Sequence, residues 1–188
     1  RYDTSQEFDS VEAWSTFDAS KNGVGYDATG FLGGVFDGQF VYFVPYYNGK
    51  NINHGEVLRY DTSQEFDSVE AWSTFDASKN GVGNNPQGFG DGIFDGRFVY
   101  FAPLDNGENI HGEVLRYDTS QEFDSVEAWS TFNPIHAAPF SAIGYSNAIY
   151  EKNYVYFSQF NNGKSTGGET LRYDTSQEFD SVEAWSTF

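Results

Sequence analysis

The chain of 188 residues contains no cysteine and no methionine. The absence of cysteine excludes disulfide bonds, thiolate metal sites and cysteine nucleophiles, and it leaves the cellular compartment open. Because no methionine can serve as the initiator residue, we expect the chain to be processed, truncated or part of a longer polypeptide. No apolar run approaches the roughly 18 residues that a membrane-spanning helix needs, so we expect no membrane insertion.

Basic residues and proline are also scarce. Ten Lys and Arg face 28 Asp and Glu, which gives a net charge of −18. This balance argues against nucleic acid as a partner, because phosphate binding needs clustered Lys and Arg. Only 5 prolines accompany 20 glycines, and 19% of the residues are aromatic. Such an aromatic content excludes a disordered acidic chain and is typical of many short strands joined by tight turns.

One stretch of 17 residues occurs four times without a change, as Arg-Tyr-Asp-Thr-Ser-Gln-Glu-Phe-Asp-Ser-Val-Glu-Ala-Trp-Ser-Thr-Phe. The copies start at positions 1, 59, 116 and 172. A nearly constant period of this size indicates a repeat architecture. We therefore divide a single repeat domain, residues 1–188, into a half-unit, 1–17, and three units, 18–75, 76–132 and 133–188.

The second copy illustrates what the repeated stretch predicts. Residues 57–60 form a short apolar run typical of a strand, and residues 72–75 alternate as in a half-buried edge strand. Thr62 and Glu65 have capping-box spacing, which predicts a helical turn that starts at Thr62. Three apolar residues of this turn are predicted to share one face: Phe66, Val69 and Trp72. The four tryptophans have like roles, and we expect the inner pair to be more buried than the terminal pair: Trp72 and Trp129 against Trp14 and Trp185.

The segments between the copies supply two more strands per unit. Asp37-Gly38 lies between two apolar runs and predicts a two-residue hairpin with a type I′ turn. The second run, residues 39–44, is apolar on both faces and must be covered on both sides. Each unit thus reads as a four-stranded antiparallel sheet, and the chain as fourteen strands: three full blades plus an outer half-blade. Radial repetition of such sheets predicts an all-β, propeller-like fold.

The order of these motifs resembles a kelch-type propeller repeat. The residues that carry the resemblance are Phe-Asp-Gly-Gln-Phe-Val-Tyr-Phe at 36–43, Val-Leu-Arg-Tyr-Asp-Thr at 57–62, and Trp72. The diglycine that ends the second kelch strand is replaced here by Val44-Pro45 and by its counterparts in the other units. The resemblance covers nearly the whole chain and implies blades of a propeller.

Candidate binding residues lie beside the Asn-Gly turns that follow the second strand of each unit. Aromatic rings next to Asn and Gly suit sugar or protein recognition, although the same rings could cap the core of each blade. The candidate ligand-binding residues are Tyr46, Tyr47, Asn48, His54, Asn106, His111, Phe160 and Asn162.

Metal and acid–base chemistry have weaker support in the sequence. Residues 18–23 and 76–81 match the first half of a calcium loop, but Thr29 and Gln87 stand where the loop needs a bidentate Glu. We interpret both segments as turns between blades. The three histidines lack ligand spacing and are predicted to be surface turn residues. Identical repeats also give their carboxylates identical environments, whereas an acid–base pair needs two different ones. We therefore expect no catalysis, no metal and no cofactor.

Two functional classes and one further origin stay open at this point. The first class is a non-catalytic repeat scaffold or binding module that contacts a protein or a glycan through its repeated loops. The second is a hydrolase on a propeller scaffold, with a site near His136 in the divergent third unit. An engineered or consensus repeat without a natural ligand would also explain the identical copies. In each case we expect further repeats or identical chains to cover the two terminal faces.

Overall fold

The protein is an all-β chain of three four-stranded antiparallel sheets with short 3₁₀ turns between strands. Its structure, a computed structural model, describes residues 1–26, 28–49, 53–136 and 142–188. Sheet 1 comprises β1 (Phe31–Phe36), β2 (Phe40–Pro45), β3 (Glu56–Asp61) and β4 (Trp72–Asp76). Sheet 2 comprises β5 (Phe89–Phe94), β6 (Phe98–Pro103), β7 (Val114–Asp118) and β8 (Trp129–Phe132). Sheet 3 comprises β9 (Tyr145–Glu151), β10 (Tyr154–Gln159), β11 (Thr170–Asp174) and β12 (Trp185–Thr187). The 3₁₀ turns are Val11–Ala13, Val69–Ala71, Ala77–Lys79, Val126–Ala128, Pro134–His136 and Val182–Ala184.

Each sheet is an up-and-down meander, as the sequence predicts, but the hairpin turn differs in type. The Asp37 amide donates to the Phe40 carbonyl at 3.2 Å, so Gly38 and Gln39 are the two central residues. Only the first of them, Gly38, has a positive φ, +108°. A type I′ turn needs two positive φ values, whereas a type II′ turn needs one, at a glycine in the first central position. The Asp37 carboxylate accepts the amides of Gln39 and Phe40, at 2.8 and 2.6 Å, and thereby fixes the loop.

The sheets pack face to face in chain order, so the central sheet 2 is covered on both faces. We call the two faces of each sheet front and back, with the front turned towards the N-terminal neighbour. Tyr42 and Val44, on the back of sheet 1, share one core with Val99 and Phe101, on the front of sheet 2. Equivalent residues of sheets 2 and 3 form a second core. The alternation of apolar side chains along β6 therefore supplies two interfaces, with Val99 and Phe101 on the front and Tyr100 and Ala102 on the back.

The repeated stretch forms the same hydrogen-bonded corner in all four copies. The tryptophan Nε1 donates to the phenylalanine carbonyl six residues earlier, at 2.9–3.0 Å. The tyrosine hydroxyl donates to the carbonyl of the glutamine four residues later, at 2.7–3.0 Å. These bonds join residues of one copy, and they recur in residues 1–17. The 17 residues therefore determine the corner locally.

The helical turn of this corner is shorter and later than predicted. It covers Val69–Ala71 in the second copy rather than starting at Thr62. The Thr62 hydroxyl makes no cap and instead donates to the Gln39 carbonyl at 2.6 Å, which ties the corner to the hairpin turn of its own sheet. Phe66 and Trp72 pack together as expected, but Val69 is 43% exposed. A single 3₁₀ turn has too few residues to keep three apolar side chains on one face.

The first copy does not form the two strands that were predicted for it. Tyr2 and Trp14 make an isolated bridge, so the described residues contain twelve named strands instead of fourteen. In sheet 1 the equivalent strand, β3, is flanked on its other side by β2. Residues 1–3 have no such neighbour, and a two-stranded pair alone is only marginally stable.

The tryptophans confirm only half of the expected burial order. Trp14 is 48% exposed, whereas Trp72 and Trp129 are 8% and 5% exposed, as predicted. Trp185, at 4%, is as buried as the inner pair. Its cover comes from the preceding unit, because Phe132 stacks on it at 5.4 Å, just as Phe75 stacks on Trp129 at 4.8 Å. The burial of each tryptophan thus depends on the phenylalanine that ends the preceding copy, and Trp185 is buried for the same reason as Trp129.

Candidate binding surface

The connections between the second and third strands of the three sheets share one design. Each closes with an isolated antiparallel bridge beyond the strands: Tyr47 with Asn53, Asp105 with Ile110, and Asn161 with Thr166. Each has a glycine of positive φ at its tip, with φ between +77° and +85°. We call these three segments the end loops: residues 46–49 with 53–55, 104–112, and 160–168. Because the strand order is the same in every sheet, the end loops lie at the same end of consecutive sheets.

The asparagines at the loop tips shape the backbone. Asn106 Oδ1 accepts the amides of Glu108 and Asn109, at 3.1 and 2.8 Å. Asn162 Oδ1 accepts the equivalent amides of Lys164 and Ser165, at 3.1 and 2.9 Å. Both carboxamide oxygens are used in Asx-type turns. The Nδ2 groups of Asn106 and Asn162 take no part in these turns.

Hydrogen bonds link the first and second end loops to the units that follow them. The His54 carbonyl accepts the Gly88 amide at 3.1 Å, and the His111 carbonyl accepts the Gly144 amide at 2.9 Å. The Asn53 carboxamide also donates to the Asp105 carbonyl, across units 1 and 2. The Gln87 carboxamide donates to the Asn106 carbonyl at 2.6 Å and holds the tip of the second loop. These bonds join the described parts of the end loops into one surface.

Two aromatic rings project from this surface. Tyr47 is 37% exposed and Phe160 is 56% exposed. Tyr46, Asn48, Asn106 and Asn162 are half-buried. Burial raises the pKa of Tyr46, so its hydroxyl stays protonated at neutral pH. The structure thus places all of these predicted site residues on the end loops, with the two exposed rings on the first and third loops.

The two histidines of the end loops are buried, which corrects their interpretation as surface turn residues. His54 is 3% exposed and His111 is 8% exposed. Their rings meet Phe31 and Phe89 edge-on, at centroid distances of 5.8 and 5.9 Å. Burial lowers the pKa of His111 below its usual value of 6.5, so its imidazole is neutral at pH 7. These side chains support the loops from beneath.

The first aspartate of each repeated stretch accepts hydrogen bonds within its own turn. Hydrogen bonds from Gln6 and Ser5 lower the pKa of Asp3 to about 2, and the equivalent bonds from Gln64 and Ser63 lower that of Asp61 to about 2. A carboxylate with so low a pKa is a poor general base at neutral pH. The environments of the copies are not identical, as the sequence had suggested, because Asp118 is buried and also pairs with Arg97 at 2.7 Å.

The two partial calcium motifs are also turns. The Asp76 carboxylate accepts the Ser78 amide at 3.1 Å and caps the 3₁₀ turn Ala77–Lys79. Asp18 pairs with Lys21 at 2.7 Å, and hydrogen bonds from Lys21 and then Ser20 lower its pKa to about 2. Among the described residues, no group of three or more His, Asp or Glu side chains is arranged to hold a metal ion.

The alternative hydrolase site near His136 falls partly outside the described residues. His136 ends the 3₁₀ turn Pro134–His136, and residues 137–141 lie outside the described part of the chain. Within the described residues, no helix is long and apolar enough to cross a membrane.

A cavity of about 980 Å³ lies in front of sheet 1, and the search for site residues in the sequence missed it. Sequence reasoning did predict apolar terminal faces, but it gave no reason to expect a shaped cavity. The signal was the apolar alternation of β2, whose front-facing Val41 and Phe43 line this cavity. We call this space the front cavity, and its apolar lining includes Phe31, Val41, Phe43, Leu58, Tyr60, Phe66 and Trp72.

Comparisons with known protein families and with curated proteins give no match for this chain. The kelch-like order of motifs is therefore the whole basis of that resemblance.

Proposed function

We propose that the chain is a non-catalytic repeat scaffold that binds a protein or a glycan through its end loops. The observation that carries the proposal is the repetition of one loop design at one end of three consecutive sheets. Equivalent loops offer several similar contacts to one extended partner, and linked weak contacts give avidity. The rings of Tyr47 and Phe160 supply apolar contact, and the asparagine amides of the tips supply hydrogen bonds.

The hydrogen bonds between units support this surface as a preorganised one. Gly88 and Gly144 tie the bases of the first two loops to the next sheet, so these bases are positioned before a ligand binds. Preorganisation lowers the entropic cost of binding. Two groups of reactive side chains have structural roles that support a non-catalytic scaffold. Asp3 and Asp61 have a low pKa because they accept hydrogen bonds within their turns. His54 and His111 are buried beneath the end loops.

The kelch-like order of motifs leads to a finer proposal about the assembly. The three sheets would be blades of a larger propeller-like array, in which further repeats or identical chains cover the terminal faces. The uneven burial of identical residues supports this arrangement: Phe123 is 3% exposed, whereas Phe8, its counterpart in the first copy, is 69% exposed.

A selection experiment with matched variants tests the function. The wild-type chain is used to select binders from a glycan array and from a displayed peptide library. The double variant Tyr47→Ala/Phe160→Ala should weaken a genuine ligand at least about tenfold, since each exposed ring contributes on the order of 1 kcal/mol or more. Phe36→Ala is the control, because Phe36 is also 56% exposed but lies beside the β1–β2 turn, at the opposite end of its sheet.

Ligands that lose affinity only in the double variant support the end loops as the binding surface. Ligands that respond to Phe36→Ala instead, or to neither change, would place recognition elsewhere and refute the proposal.

A further inference from the structure

The second end loop places two side chains with complementary chemistry on one peptide bond, that between Asn106 and Gly107. The Gly107 amide donates to Asp105 Oδ1 at 2.8 Å. The Gln87 Nε2 group donates to the Asn106 carbonyl oxygen, at the other end of the same peptide unit, at 2.6 Å. A base therefore lies at the N–H and a hydrogen-bond donor at the C=O. This pair favours loss of the amide proton, because resonance shares the resulting negative charge with the carbonyl oxygen.

The side chain of Asn106 is activated at the same time. Its Oδ1 accepts the amides of Glu108 and Asn109, at 3.1 and 2.8 Å. Two backbone donors on one carbonyl oxygen polarise the attached carbon and stabilise an oxyanion that forms there. That carbon, Cγ, is within reach of the Gly107 nitrogen, because joining the two atoms closes a succinimide ring. Glycine has no side chain to hinder the approach.

The third end loop has the same Asn-Gly pair but lacks the base and the donor. Asn162 Oδ1 likewise accepts two amides, at 3.1 and 2.9 Å. The Gly163 amide, however, donates to the carboxamide oxygen of Asn161 at 2.8 Å, and a carboxamide takes up no proton at neutral pH. Ile143 stands where the second unit has Gln87, and its side chain has no hydrogen-bond donor. The third loop is therefore a natural control for the second.

We propose that Asn106 is a self-modification site, at which Asp105 and Gln87 promote deamidation of the side chain. Asp105 removes the Gly107 amide proton, and the Gly107 nitrogen bonds to Asn106 Cγ. The oxyanion on Oδ1 then re-forms the carbonyl, the Cγ–Nδ2 bond breaks, and Asp105 returns the proton to the departing ammonia. Water opens the succinimide at either carbonyl, which leaves aspartate or isoaspartate at position 106. Gly107 is exposed, so water reaches the ring.

The reaction changes the chemistry of the loop tip. It replaces the Nδ2 donor of Asn106 with a carboxylate oxygen, so the second tip becomes an acceptor with an added negative charge. Isoaspartate also inserts a methylene into the main chain, next to the bond from the Asn106 amide to the Asn109 carbonyl, 3.0 Å, that closes the tip. An effect on ligand binding rests on the proposed function, whereas the reaction itself does not.

Peptide mapping by mass spectrometry during incubation at neutral pH tests the proposal, because it follows Asn106 and Asn162 in the same sample. We expect Asn106 to convert at least about tenfold faster than Asn162, since a positioned general base contributes about 10²–10⁴-fold. In the urea-unfolded chain the two rates should be similar, because both residues precede glycine and the folded contacts are gone. This comparison separates the effect of the fold from that of the Asn-Gly sequence.

Two variants test the assigned roles. Asp105→Asn gives the second loop the carboxamide of the third and should slow conversion of Asn106 at least about tenfold. Gln87→Ile should slow it roughly two- to tenfold, the range for one lost hydrogen bond. The rate at Asn162 should stay unchanged in both variants, which shows that the fold is kept.

The pH profile distinguishes a base from a merely structural residue. In the wild-type chain the rate at Asn106 should depend only weakly on hydroxide, because Asp105 takes the proton. Asp105→Asn should restore the steep rise with pH that we expect for Asn162.

Equal or slower conversion of Asn106 relative to Asn162 in the folded chain would overturn the proposal. An Asp105→Asn variant that keeps the wild-type rate and pH profile would overturn it as well. No ligand enters these measurements, so their failure is distinguishable from a failure of the proposed function.

Discussion

Replacing tryptophan by alanine at two identical stretches measures how much stability a neighbouring unit contributes. Trp129 stacks on Phe75 and Tyr117, at 4.8 and 4.6 Å, and is 5% exposed. Trp14 keeps the contact with its own Tyr2 at 4.8 Å but is 48% exposed. Both indoles make the same hydrogen bond to a backbone carbonyl, at 2.9 and 3.0 Å. That bond therefore cancels when the two variants are compared.

The burial difference sets the expected magnitude. Emptying a large aromatic core site costs about 3–5 kcal/mol, which we expect for Trp129→Ala. Taking about 250 Å² for the side chain, the change from 48% to 5% exposure corresponds to about 110 Å² of additional buried surface and to ~2–3 kcal/mol. Trp14→Ala should therefore lower the free energy of unfolding by only about 1–2 kcal/mol.

Urea denaturation followed by far-UV circular dichroism provides the measurement, with the midpoint and the slope fitted for both variants. The wild-type chain and the conservative variant Trp129→Phe serve as references. Equal losses for Trp14→Ala and Trp129→Ala would refute the reasoning, because they would show that the sheets do not cover one another as described.

Three further predictions concern single residues of sheet 2 and its connections. His111 is neutral in the folded chain because burial lowers its pKa, whereas in the unfolded chain it takes up a proton below about pH 6.5. Urea midpoints measured as a function of pH should therefore show stability falling from about pH 7 to pH 5.5. His111→Leu should flatten this part of the curve. Gly88→Ala should destabilise the fold by several kcal/mol, since its φ is +69° and a Cβ would collide with the Asp105 carbonyl; Gly96→Ala, with φ +106° and open space, should cost only about 1 kcal/mol by thermal melting. Arg97→Gln removes a 2.7 Å ion pair to Asp118 in which Arg97 is 62% exposed, so it should cost at most about 1 kcal/mol, and less at high salt; a loss that salt leaves unchanged would contradict this.

The sequence predicts most of the sheet architecture because the repeat supplies the evidence three times. The apolar alternation in residues 39–44 predicts a strand covered on both sides. The structure confirms this for the equivalent strand β6, whereas in β2 only the face with Tyr42 and Val44 packs against another sheet. Local turn chemistry was harder to predict. The hairpin at Gly38 closes around Asp37 and Phe40, which changes the turn type, and the Thr62 hydroxyl binds the Gln39 carbonyl in the hairpin turn instead of capping a helix.

Burial of individual side chains depends on contacts that no local pattern encodes. His54 and His111 are polar residues beside glycine turns, yet the link from each histidine carbonyl to the next unit places the ring under the loop. Trp185 stays buried because Phe132 of the preceding unit covers it. For the candidate site, the sequence could locate the end loops, but only tertiary packing separates the exposed Phe160 from the half-buried Tyr46.

The most direct test of the proposed function is the footprint of a selected ligand on the chain, measured from amide chemical shifts in two-dimensional NMR spectra. We expect the largest changes in the end loops, around Tyr47, Asn106 and Phe160, with small changes at the opposite turns around Gly38 and Gly96. Changes concentrated at those opposite turns, or within the repeated stretches, would contradict the assignment of the end loops as the binding surface.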